Sequence, residues 1–135
     1  MKTILIIFMS FSLQNSFALK PQPKAVDFDS INENQTFKSP FKVKMKVTGL
    51  KVRPAGEDVK DVQSGHHHLI INGAAIPAGQ PVPADETHLH YGKGQSEAEL
   101  TLSPGDYTLT LQFADGAHLS YGPELSKTVH IKVSK

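Results

Sequence analysis

No cysteine occurs anywhere in this chain. Disulfide cross-links, thiolate metal sites and cysteine nucleophiles are therefore excluded, and a fold must rest on core packing or on a bound ligand. Tryptophan is missing as well. Without a cysteine pair and its packed tryptophan, an antibody-type domain is excluded. Charge of one sign is also lacking, with 14 Lys and Arg against 13 Asp and Glu. That balance offers no basic surface for nucleic acid or anionic lipid. Nor does any apolar run reach the roughly 20 residues of a membrane-spanning helix.

The longest apolar run, Ile4 to Leu13, follows Met1-Lys2 and precedes polar Gln14-Asn15 and then Ser16-Phe17-Ala18. A short positive start, a short apolar centre and small residues at 16 and 18 predict a signal peptide over residues 1–18, cut after Ala18. An uncleaved anchor ranks below this reading, and no Cys follows that could carry a lipid. The expected location is periplasmic or secreted. Lys2 is the only charge in the leader, which leaves 13 acidic residues matched by as many basic ones.

Residues 19–25, with Pro21 and Pro23, predict a flexible lead-in to one domain over residues 26–135. That domain reads as short strands. Phe41, Val43, Met45 and Val47 alternate with Lys42, Lys44, Lys46 and Thr48, the pattern of a half-buried strand with a lysine-rich outer face. Such lysines keep a strand from pairing with strangers. The same alternation recurs at Glu97–Leu102, at Tyr107–Phe113 and at Val129–Val133. Strands are also expected at His67–Asn72 and Thr87–Tyr91, with a loop over Gly49–Gly65 and a long proline-bearing connection over residues 74–86. Helical periodicity is absent. About seven short strands separated by turns predict an all-β, immunoglobulin-like antiparallel β-sandwich. Pro104-Gly105-x-Tyr107 at a strand start matches the tyrosine corner of such sandwiches.

Five of the seven histidines fall in two groups, His66-His67-His68 and His88-Leu89-His90. Side chains two apart on a strand share a face. His66 and His68 can thus converge on one ion, as can His88 and His90, and imidazole is the commonest side-chain metal ligand. The bland alternative is a set of polar strand residues bonded to backbone or water. Two such pairs in one small domain reinforce each other. If the two strands run antiparallel, the pairs end close together, and the loop after Phe113 brings His118 and Tyr121 to the same rim. The candidate metal ligands are therefore His66, His68, His88, His90 and His118. The pattern leaves open whether His66 and His68 or His67 alone faces the site. His130 alternates with apolar Val129 and Ile131 and reads as an exposed strand residue.

Nitrogen ligation without sulfur suits Cu(II), Zn(II) or Ni(II). Asp85 and Glu86 stand where they can complete or orient the second pair. The His density does not suggest an oxygen-lined calcium site. A copper brace built on an N-terminal His fails, because the expected first residue is Leu19. No H-E-x-x-H and no G-x-S-x-G occurs. The cysteines of copper–zinc superoxide dismutases are missing, and Glu97 follows His90 too distantly for a cupin.

Several stretches, taken in order, carry a family resemblance. They are Ser39-Pro40-Phe41-Lys42-Val43, Pro54-Ala55-Gly56, Gly65-His66-His67-His68-Leu69-Ile70-Ile71 and Thr87-His88-Leu89-His90-Tyr91-Gly92-Lys93-Gly94-Gln95. Leu102-Ser103-Pro104-Gly105, Phe113-Ala114-Asp115-Gly116-Ala117-His118 and Tyr121-Gly122-Pro123 follow. Together, from about Phe37 to Val133, they resemble the bacterial family named domain of unknown function 4399. The resemblance implies an exported bacterial protein with a small β-rich domain, and brings no activity, substrate or cofactor. Its His-rich motifs match His66, His67, His68, His88, His90 and His118.

The expected function is non-catalytic binding of a divalent transition metal, copper or zinc, for buffering, delivery or sensing. Protonated imidazole cannot ligate, so binding should fail below about pH 6. The competing expectation is an adhesion or interaction module of the cell envelope. Its His-rich rim and proline-rich connection would then meet a protein or a glycan.

Overall fold

The computed structural model describes residues 20–135. The expected signal peptide, 1–18, and the first lead-in residue lie outside the described residues. Residues 20–24 belong to no strand, and pairing begins at Ala25, the last residue of the expected lead-in.

Nine strands occur among the described residues: β1 (Ala25–Phe28), β2 (Gln35–Lys38), β3 (Phe41–Thr48), β4 (Lys51–Val52), β5 (Ser64–Ile71), β6 (His88–His90), β7 (Glu97–Leu100), β8 (Gly105–Ala114) and β9 (Ser126–Ser134). They form two sheets, β1-β3-β7 and β2-β9-β8-β5-β4, with β6 also paired to β5. The all-β sandwich expected from the alternation is what the chain forms. The expected purely antiparallel order is modified at two edges. β2 runs parallel to β9, and β4 runs parallel to the start of β5. Both are short segments whose neighbouring loops bring them alongside in the same direction, and neither has an alternating pattern long enough to announce it.

The sheets face each other across one apolar core. β1 and β3 contribute Val26, Phe28, Phe41, Val43 and Met45, while β5, β8 and β9 contribute Leu69, Leu109, Leu111, Phe113, Val129, Ile131 and Val133. Burying each such side chain stabilises the fold by about 1.5–3 kcal/mol before entropy is counted. The lysines of β3 point outward, and Lys42 reaches Glu97 on β7 at 3.4 Å. The Tyr107 hydroxyl donates to the Ser103 carbonyl at 2.8 Å, which ties the start of β8 to its preceding turn.

β5 departs from alternation. Seven of its eight residues are buried, so both of its faces are covered. One face meets the core through His67 and Leu69. The opposite face, shared with Thr110 and Gln112 of β8, is closed by the proline-bearing connection and the loop after β8. The Gln112 side-chain oxygen accepts from the Ile76 amide at 3.0 Å, and its amide nitrogen donates to Gly122 and Leu125 carbonyls. Thr110 donates to the Gly73 carbonyl at 2.8 Å. The two covering segments also pair with each other, Gly79 and Val82 donating to Ser120 and His118, and Ser120 donating back to Gln80. β5 begins at Ser64, earlier than its apolar residues suggest, because Ser64 and Gly65 pair with β4. It ends before Asn72, whose φ of 56° leaves extended geometry.

Candidate metal centre

Register decides which histidines meet. In the antiparallel β5–β6 pair, His68 stands opposite His90, and Ile70 stands opposite His88. His66 and His68 share the covered face of β5. His118 arrives from the loop after β8 in a left-handed conformation, φ 65°. Such a conformation is uncommon outside glycine and needs a holding framework. Asp115 supplies it, one carboxylate oxygen accepting from the amides of Ala117 at 2.8 Å and Leu119 at 2.9 Å.

The four rings converge. Nε2 of His66 lies 3.0 Å from Nε2 of His68, and Nε2 of His118 lies 3.1 Å from Nε2 of His90. One ligand atom from each of His66, His68 and His90 fits within 4.8 Å of the others. His118 joins through His90, and its ring is farthest from His68, with centroids 5.9 Å apart. His66 and His68 are fully buried, whereas His118 is half-buried and His90 exposed. The group thus has a closed floor and an open rim. Gly92 makes room at that rim, since a Cβ there would run into the His90 ring.

Burial and mutual repulsion favour the neutral form of His66, His68 and His90. Desolvation, then the neighbouring His90 and His118, pushes His66 down to about 4. Desolvation, then His66, His90 and His118, pushes His68 down to about 3. His90 is lowered by desolvation and then by His118. Neutral imidazole is the ligating form. The donor set fits a transition ion: nitrogen only, with its buried members held neutral and Nε2 atoms brought together. The outward nitrogens fit less well. Among the described residues, Nδ1 of His66 and of His68 meets no protein acceptor. Ligating histidines usually donate that proton to a carboxylate or carbonyl.

The remaining candidates are placed elsewhere. His88 does not join the group; its Nδ1 lies 2.8 Å from an Asp85 carboxylate oxygen. That oxygen also takes the Thr87 hydroxyl and the amides of Thr87 and His88. The His88 bond, then those from Thr87, hold the Asp85 carboxyl down to about 2. Asp85 therefore orients His88, the member of the pair that stands outside the group, and no bond links it to His90. Glu86 is exposed. His67 points into the core, edge-on to Phe113 at 5.0 Å, with neither ring nitrogen partnered among the described residues. Desolvation pushes it down to about 4. His66 and His68, and not His67, face the group. Tyr121 donates to the Ser64 carbonyl at 2.7 Å and braces the loop. His130 is exposed and bonded to Glu33 at 2.7 Å, away from the group.

Sequence reasoning missed Gln112, which pins the cover, and Asp115, which sets His118. The loop after Phe113 is expected from the sequence, but nothing local tells that Asp115 aims an imidazole.

Fold and site define a small β-sandwich carrying a partly buried imidazole cluster at one end. Residues 43–134, more than half of the chain, match the family described as Domain of unknown function (DUF4399), and the chain belongs to that family. No curated protein and no solved structure matches it.

Proposed function

We propose that this chain is an exported, non-catalytic domain that binds a divalent transition metal, copper or zinc, through His66, His68, His90 and His118, and buffers, delivers or senses that ion. The observation that carries the reading is the inward convergence of four imidazoles from three separate segments of the chain. Uncompensated polar groups are costly to bury, and a bound ion would repay the burial of His66 and His68. The open rim at His90 offers an entry path. The two floor ligands without Nδ1 acceptors favour an exchangeable ion over a permanent one, because outer acceptors typically raise affinity by about 10–100-fold.

Elemental analysis by plasma mass spectrometry tests this on untagged protein purified without chelators or nickel resin, before and after titration with Cu(II) and Zn(II). One metal per chain is the expected result. Absence of metal, and binding no tighter than that of free histidine peptides, would reject it. An envelope interaction module would then be the better account.

A further inference from the structure

The spacing of the rings carries information about which ion fits. With Zn–N bonds of about 2.0–2.1 Å, ring centroids lie about 3.2 Å from the ion, so a tetrahedron places all six pairs about 5.2 Å apart. A square plane of the same bonds gives four pairs at about 4.5 Å and two diagonals at about 6.4 Å. The observed values are 4.8 Å for His66–His68, 5.0 Å for His66–His90, His66–His118 and His68–His90, 4.7 Å for His90–His118 and 5.9 Å for His68–His118.

A square plane with His68–His118 as one diagonal would need His66–His90 as the other. That pair is at 5.0 Å, so the second diagonal is missing. The two short nitrogen–nitrogen contacts, His66–His68 at 3.0 Å and His90–His118 at 3.1 Å, share no residue. Tetrahedral Zn–N bonds would set them at about 3.3–3.4 Å and the sides of a square plane at about 2.9 Å, so they fit either arrangement and the centroid pattern decides.

Resting on the metal reading above, we infer that the centre is a closed, near-tetrahedral, all-imidazole site, with His118 as its fourth ligand and zinc(II) as its ion. Zinc has no geometric preference from its d electrons, whereas Cu(II) favours a square plane. Cu(I) tolerates a tetrahedron but is selected by sulfur, which the ligand set does not contain. Four protein ligands leave no position for a substrate or an activated water, so the site holds an ion and does no hydrolysis. His118 and His90, the ligands at the rim, form the edge through which the ion enters. His66 and His68 form the preorganised floor.

Cobalt(II) is the probe, because it reports coordination number in its visible spectrum and zinc displaces it. Loaded with one Co(II), the native protein should show the intense visible bands of a four-coordinate ion, and one equivalent of Zn(II) should abolish them. His118→Ala should still take up Co(II), with affinity weaker by at least about 10-fold and with visible bands shifted and made pH-dependent by the water that takes the fourth position. Stoichiometric uptake with faint bands in the native protein would overturn the tetrahedral centre and leave the metal reading standing. A His118→Ala spectrum identical to the native one would do the same. Failure to bind either Co(II) or Zn(II) would overturn both. Should the variant fold poorly, the Cu(II)-loaded native protein decides by electron paramagnetic resonance. A small parallel copper hyperfine splitting supports the imposed tetrahedron, and the large splitting of a square plane rejects it.

Discussion

His68 on β5 and His90 on β6 stand directly opposite each other across an antiparallel pair, with ring centroids 5.0 Å apart. His88, two residues earlier on the same face, stands opposite Ile70 and is held by Asp85. Two histidines that look equivalent in the sequence therefore have different neighbours. His90→Ala is expected to weaken Zn(II) or Cu(II) binding by at least about 10-fold, while His88→Ala leaves it within experimental error. Isothermal titration of the two single variants checks this. Equal losses in both would show that the register is not the one described.

The pH dependence follows from the buried imidazoles. Unfolded, His66, His67 and His68 take up protons near 6.5; folded, His66 and His67 do so only at about 4, and His68 at about 3. The unfolded chain thus binds more protons as pH falls below 6.5. Metal-free stability is full above that value, declines as the pH falls below it, and the loss is complete once the pH passes below the folded-state values. Urea melts of metal-free protein between about pH 7 and pH 4 should show that decline. Protons also compete less for buried ligands than for free imidazole. Metal uptake should therefore survive at about pH 5 and fail toward pH 4, lower than the limit near pH 6 expected from an ordinary histidine. A binding midpoint near 6 would mean that the floor ligands are open to water.

How far the chain could be read follows from where its information lies. β3, β8 and β9 were legible because apolar residues alternate with Lys, Thr, Gln or His along Phe41–Thr48, Tyr107–Phe113 and Val129–Val133. β2 and β4 were not, since Gln-Thr-Phe-Lys and Lys-Val are too short to set a period and gain their strand character only from the neighbour they lie beside. The shared face of His66 and His68 follows from strand geometry. Their burial does not. It depends on residues 76–82 and 118–122 being bonded to each other and to Gln112, through backbone groups that leave no pattern in side chains. The separation of His88 from His90 depends on register, which is set by partners far along the chain.

His67 provides a stability test that is independent of metal. Its ring lies in the core against Phe113 with both nitrogens unpartnered among the described residues. A buried polar group without partners costs about 1–3 kcal/mol, and an apolar replacement of similar shape removes that cost. His67→Leu is therefore expected to raise the unfolding free energy of metal-free protein by about 1 kcal/mol, measured by urea denaturation at neutral pH. It should also flatten the acid decline and leave metal affinity unchanged. A loss of metal binding in this variant would mean that the core-facing imidazole takes part in the site.

Gly92 separates the site from the fold. A Cβ at this position meets the His90 ring, and not backbone. The ring is the free end of a side chain at an exposed edge, so it can swing away with little strain. The same swing takes Nε2 out of the 3.1 Å contact with His118. Gly92→Ala is therefore expected to keep the unfolding free energy within about 0.5 kcal/mol of the native value, as for a surface substitution. Metal affinity should nevertheless weaken by about 10-fold or more, the scale set by lost ligand positioning. Parallel denaturant melts and metal titrations of this one variant read both quantities. If stability falls while affinity holds, Gly92 serves the backbone, and the position of the His90 ring at the rim does not control binding.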